Sequence, residues 1–120
     1  MSLSASHLEQ MRDLVGRGQT RSHPWRVDQL KRLRELVESH EQEVLEALAA
    51  DLGKPSTEAF FEVVALLQEL KLTERNLRRW MRPASVPVPL AQRPGKASVV
   101  PEPLGCVLII GPWNYPFSLT

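Results

Sequence analysis

The chain holds one cysteine in 120 residues, so no internal disulfide staples it, a pattern that fits a reducing compartment. It also lacks an excess of charge of either sign. Fifteen basic and 14 acidic residues are interspersed and leave a net charge of +1, which excludes the basic footprint of a nucleic-acid binder and an acidic tail. No long hydrophobic run is present either: Leu104–Ile110 is far short of the ~20 residues a membrane span needs, so no membrane anchoring is visible in this segment. The opening Met1–Ser6 has neither a basic start nor a long apolar stretch, and no secretory signal is expected. A soluble, cytoplasmic chain is the default expectation. The three histidines, His7, His23 and His40, show no ligand spacing with one another or with Cys106, which leaves no metal site. Gly16-Arg17-Gly18 lacks the preceding strand and the third glycine of a dinucleotide fingerprint and reads as a helix break.

What is present is helical at first. Ser6 and Glu9 have capping-box spacing, and Leu8, Met11, Leu14 and Val15 recur at helical intervals up to Gly16 and Gly18. Pro24 suits the first turn of a second helix, because the backbone N–H it lacks would have no partner there, and Leu30, Leu33, Val37, Val44 and Leu48 form a single stripe. Gly53 and Pro55 close that helix. A third helix carries Phe60, Val63, Leu67, Leu70, Leu77 and Met81 as its expected buried stripe, widened by Val64 and Trp80. Glu58 sits in its first turn and Pro83 ends it. The charged group Glu74, Arg75, Arg78, Arg79 and Arg82 reads as a solvated face, with an interface role for Arg78 or Arg79 as the alternative.

Pro83, Pro87, Pro89 and Pro94 then block helix and confine any strand to an edge. Ala97–Val100 is a short β-prone piece. Cys106–Ile110 is apolar on both faces, as in a central parallel strand covered by helices on both sides, yet the chain offers it almost nothing to pair with. Three helices and one orphan core strand describe an unfinished α/β fold. That strand runs into Gly111-Pro112-Trp113-Asn114-Tyr115-Pro116, a proline-bracketed turn that presents one amide side chain.

Glu102-Pro103-Leu104-Gly105 through Pro112-Trp113-Asn114-Tyr115-Pro116 resembles the aldehyde dehydrogenase superfamily, whose hallmark is an apolar strand ending in Pro-Trp-Asn-Phe/Tyr-Pro. Upstream, Gly18-Gln19-Thr20-Arg21, the stretch from Arg26 to Leu36 and Glu46–Pro55 resemble the entry region of its class 3 branch. The resemblance covers nearly the whole chain but only the amino-terminal part of full members, which are several times longer. It implies a Rossmann-type α/β cofactor domain, incomplete here, with residues 1–83 as its helical entry, 84–103 as an oligomerisation excursion and 104–120 as the return to the first core strand. It also implies NAD or NADP as cofactor, an aldehyde as substrate and a homodimer in the complete protein.

In that family a cysteine thiolate attacks the aldehyde, hydride passes to a nicotinamide ring and the thioester is hydrolysed. The resemblance places Asn114 as the donor to the oxyanions on this path. An amide donates there without carrying charge, and Pro112 and Pro116 limit the backbone freedom of the turn. An isolated asparagine in a turn would more often serve the turn itself. Ile110, Gly111, Pro112 and Trp113 are the candidate cofactor contacts, since ligands of open α/β sheets gather beyond strand ends; the residues alone equally allow Trp113 as core and Gly111 as relief of a tight bend. Cys106 lies inside the apolar strand, where a thiol is an inert hydrophobe, and the family's reactive cysteine falls beyond Thr120. The chain alone is expected to be inactive. Two other possibilities stay open at this stage: a short non-catalytic helical interaction module, and a fragment of an acyl-CoA-reducing relative.

Overall fold

A computed structural model describes residues 5–120. Met1–Ser4, most of the stretch read for a leader, lies outside the described residues. Helix α1 (Ala5–Gly16) already contains Ser6, which therefore stands inside the first turn and not at its cap. None of its side chains is buried. Helix α2 (His23–Ser39) begins as expected: Pro24 occupies the first turn, and the Ser22 hydroxyl accepts the Trp25 N–H at 3.3 Å.

The stripe from Leu30 to Leu48 does not lie on one helix. It divides at His40 into α2 and α3 (Glu41–Leu52). Local polar groups compete for one carbonyl there. Leu36 O accepts both the His40 N–H and the Ser39 hydroxyl at 3.1 Å, with His40 Nδ1 at 2.9 Å, and His40 leaves helical geometry at φ −117°, ψ 18°. Glu41 and Glu43 then fall in the first turn of α3, where the helix dipole favours negative charge. Gly53 ends α3 in the left-handed conformation (φ 64°), its N–H reaching Ala49 O at 2.9 Å, and Pro55 precedes the next helix.

Helix α4 (Ser56–Trp80, 25 residues) is the backbone of the packing and lies against both α2 and α3. Ala59, Val63, Leu70 and Leu77 are its buried apolar line, joined by Val37 of α2 and Leu48 of α3. Phe60 and Trp80, expected in that line, are exposed, and Met81 is half-buried just past the helix end. Phe60 sits one residue, about 100° of helix rotation, from Ala59, and α2 and α3 cover a single face. Glu74 departs from the solvated group proposed for it: it pairs with Arg34 of α2 at 2.6 Å, which ties the two helices together. That guanidinium hydrogen bond holds the Glu74 carboxyl below its ordinary range.

The proline-rich stretch forms a two-stranded antiparallel ribbon, β1 (Ala84–Val86) with β2 (Ala97–Val99), in the register Ala84↔Val99, Ser85↔Ser98, Val86↔Ala97. Both strands are exposed throughout. Cys106–Ile110, expected as the first core strand of an α/β sheet, joins no ladder. A strand needs a neighbour for its N–H and C=O groups, and among the described residues none lies alongside. The described residues are thus helical with a small two-stranded sheet. Its accessible surface is 9624 Å², against about 6,600 Å² for a compact protein of this mass. Its radius of gyration is 19.3 Å, where about 14 Å is usual for a compact domain of this length. Much apolar surface therefore remains uncovered.

Candidate functional site

Beyond Ile110 the chain bends at Trp113, Asn114 and Tyr115 and enters a turn at Pro116–Leu119. One helical hydrogen bond follows, from the Leu119 N–H to Tyr115 O at 3.3 Å, and the Thr120 hydroxyl donates to Pro116 O. The first N–H groups of such a turn have no partner within it. Here they find one on α4: Glu62 Oε2 accepts the Phe117 N–H at 3.1 Å and the Ser118 N–H at 3.2 Å. The second carboxylate oxygen, Oε1, pairs with Lys54 Nζ. That ammonium also lies 4.2 Å from the centre of the Tyr115 ring, within cation–π range. The Glu62 side chain is 0% exposed and that of Lys54 11%, so the pair is interior.

Sequence reasoning missed Glu62 and Lys54. The signal was available in part in the spacing, because Glu62 lies three residues, about one turn, from Ala59 and next to Val63, at the edge of the buried stripe, and a buried acid requires a partner. Lys54 stands just before Pro55, on the connection that turns α3 back into α4.

The predicted site residues cluster at the tip above this base. Asn114 is exposed, and its amide makes no hydrogen bond among the described residues. Trp113 beside it is 81% exposed and Ile110 85%, while Pro112 is also exposed. Gly111 is half-buried, and a Cβ placed on it would meet the Thr120 hydroxyl, which would have to turn aside. Behind the turn lie two apolar grooves that share Val44, Pro116 and Phe117. One, of about 350 Å³, runs along α3 to Trp113; the other, of about 670 Å³, runs along Leu33, Leu36 and Val37 of α2. Cys106 is a free, half-buried thiol. Among the described residues there is no group of three His, Cys, Asp or Glu side chains that could hold a metal ion, and no helix is long and apolar enough to cross a membrane.

The chain belongs to the aldehyde dehydrogenase family, whose family model matches residues 9–120. It is 43% identical over 121 aligned positions to aldehyde dehydrogenase family 3 member H1 of Arabidopsis thaliana, a match covering 99% of this chain and 25% of that protein. An aldehyde dehydrogenase of Craterostigma plantagineum is 47% identical over 103 positions, covering 85% of this chain and 22% of that protein. Among solved structures, the substrate-bound state of Staphylococcus aureus AldH matches with a TM-score of 0.90 and 35% identity, covering 99% of this chain and 26% of that one. The chain thus spans about a quarter of the length of the relatives it matches.

Proposed function

We propose that this chain is the amino-terminal part of an NAD(P)-dependent aldehyde dehydrogenase that oxidises aldehydes to carboxylic acids, and that Asn114 donates to the substrate oxygen. The observation that carries this is the family match over residues 9–120, within which the Pro112-Trp113-Asn114-Tyr115-Pro116 turn presents the Asn114 amide above a base held by a buried carboxylate. Attack by a thiolate from outside this segment turns the carbonyl oxygen into an oxyanion. The Asn114 NH₂ would stabilise it without pairing permanently with the thiolate. Hydride then leaves the former carbonyl carbon, the C=O re-forms as a thioester, and water releases the acid.

When bound, NAD or NADP supplies the hydride acceptor. Ile110 and Trp113 offer exposed apolar surface beside the turn, which fits one flank of a dinucleotide; a glycine-rich turn for its pyrophosphate is not among the described residues. Ile110, Gly111, Pro112 and Trp113 would hold that flank. Residues 1–83 are the helical entry to a Rossmann-type domain and 104–120 the return to its first core strand, whose neighbours come from elsewhere in the complete enzyme. The excursion 84–103, with its ribbon exposed on both faces, suits pairing between two copies in a homodimer.

The test is aldehyde-dependent NAD(P)H formation by the complete enzyme. Asn114→Ala is expected to lower kcat about 10²–10³-fold, the effect of removing one oxyanion donor. A wild-type enzyme without this activity, or an Asn114→Ala variant with wild-type kcat, would refute the assignment. The 120-residue chain alone is expected to show no turnover.

A further inference from the structure

We infer that Glu62, with Lys54 as its counter-ion, is the positioning residue that fixes Asn114 in its donating geometry. The inference rests on the role proposed above for Asn114. A fully buried carboxylate is rare and persists only when paired and hydrogen-bonded. Both oxygens of Glu62 are engaged: Oε1 takes Lys54, and Oε2 takes the Phe117 and Ser118 amides at 3.1 and 3.2 Å.

Those amides lie three and four residues beyond Asn114, and 55 and 56 residues from Glu62 in sequence. A serine or aspartate within the turn would cap them locally. Drawing the acceptor from α4 instead fastens the turn to the helical scaffold, which a local cap would not do. Lys54 adds a second hold on the residue next to Asn114 through the Tyr115 ring at 4.2 Å. Asn114 itself is left out of this network, with its amide directed to no partner among the described residues. Stability alone is a poor reason for the arrangement, because apolar replacements of buried ion pairs are often neutral or better. Orientation is a better one: a displacement of about 1 Å at a reacting group reduces rate as much as 10²-fold.

The test uses the complete enzyme and four variants: Glu62→Leu, Glu62→Gln, Lys54→Met and Lys54→Met/Glu62→Gln. In Glu62→Leu both amides lose their acceptor. Its kcat is expected to fall at least about tenfold with KM for the aldehyde within about threefold, and the Phe117 and Ser118 amides to exchange hydrogen at least about tenfold faster. In Glu62→Gln the new NH₂ faces the Lys54 ammonium, so this variant is also impaired. In the double variant a neutral glutamine oxygen still accepts both amides and no cation is left without its partner. Its kcat is therefore expected to return to within about threefold of wild type, a rescue that loss of general stability would not produce.

A folded Glu62→Leu enzyme with wild-type kcat, or with unchanged exchange at Phe117 and Ser118, overturns the inference. Should Glu62→Leu fail to fold, the comparison of Glu62→Gln with the double variant decides: wild-type kcat in Glu62→Gln, or no rescue in the double variant, overturns it equally. If the wild-type enzyme oxidises no aldehyde, the catalytic proposal fails on its own, and amide exchange still reports whether Glu62 holds the turn. If Asn114→Ala is impaired while Glu62→Leu is not, the catalytic proposal stands and the positioning role falls.

Discussion

Replacing Leu108 by asparagine separates what this segment does alone from what it does in the complete enzyme. Leu108 is 83% exposed in the 120-residue chain, so the substitution removes almost no burial and is expected to change stability by no more than about 0.5 kcal/mol. If Cys106–Ile110 is a core strand in the complete enzyme, the same change forfeits about 1.5–3 kcal/mol of side-chain burial. It also places an amide in an apolar layer, at a further cost of about 1–3 kcal/mol where no partner exists. The expected difference between the two contexts is therefore about 2–6 kcal/mol. Urea unfolding followed by far-UV circular dichroism measures the first value, and the shift in unfolding midpoint of the complete enzyme measures the second. Loss of more than about 1 kcal/mol in the short chain would show that Leu108 is already packed there. Tolerance within about 0.5 kcal/mol in the complete enzyme would show that this segment is no core strand.

Gly53→Ala places a Cβ on a residue at φ 64° and is expected to destabilise the chain by about 1–2 kcal/mol, read as a lower urea midpoint. The depressed Glu74 pKa has a defined pH consequence. Its pairing with Arg34 contributes stability that is fully present above the ordinary carboxylate range and is lost as pH falls through the lowered value, because the unfolded state takes up the proton first. Arg34→Met should therefore flatten the decline of the thermal midpoint on acidification in that window; an unchanged slope would show that the pair contributes nothing. Substituting Leu108 and Ile110 together by asparagine should reduce self-association of the short chain in light scattering, since both side chains stand in solvent.

Much of this architecture was legible from residues with one dominant local preference. Pro24 and Pro55 mark helix ends because proline permits few backbone states, Gly53 because it alone adopts the left-handed one without strain, and Ala97–Val100 stands out as β-prone between turn formers, its first three residues forming the strand. The break at His40 was hidden because the apolar spacing continues across it, while the decisive event is a contest among Ser39, His40 and the backbone for Leu36 O. Phe60 shows another limit: apolarity makes a residue a core candidate without saying which helix face is covered, and Phe60 remains 44% exposed. The turn around Asn114 was visible as a motif. Its support on Glu62 was not, since that contact joins positions 55 and 56 residues apart that no local pattern links.

The ribbon's register has a consequence for how such a protein is built and varied. Ala84 and Val99 face each other across the ladder, so the chain leaves the helical body and comes back at points about 5 Å apart. Everything between them is a detachable loop in the geometric sense. A short glycine link could span the gap without moving α4 or the segment that leads to Asn114. A change in the length of the sequence between those two points would therefore alter the surface offered to neighbours while leaving the path of the rest of the chain in place.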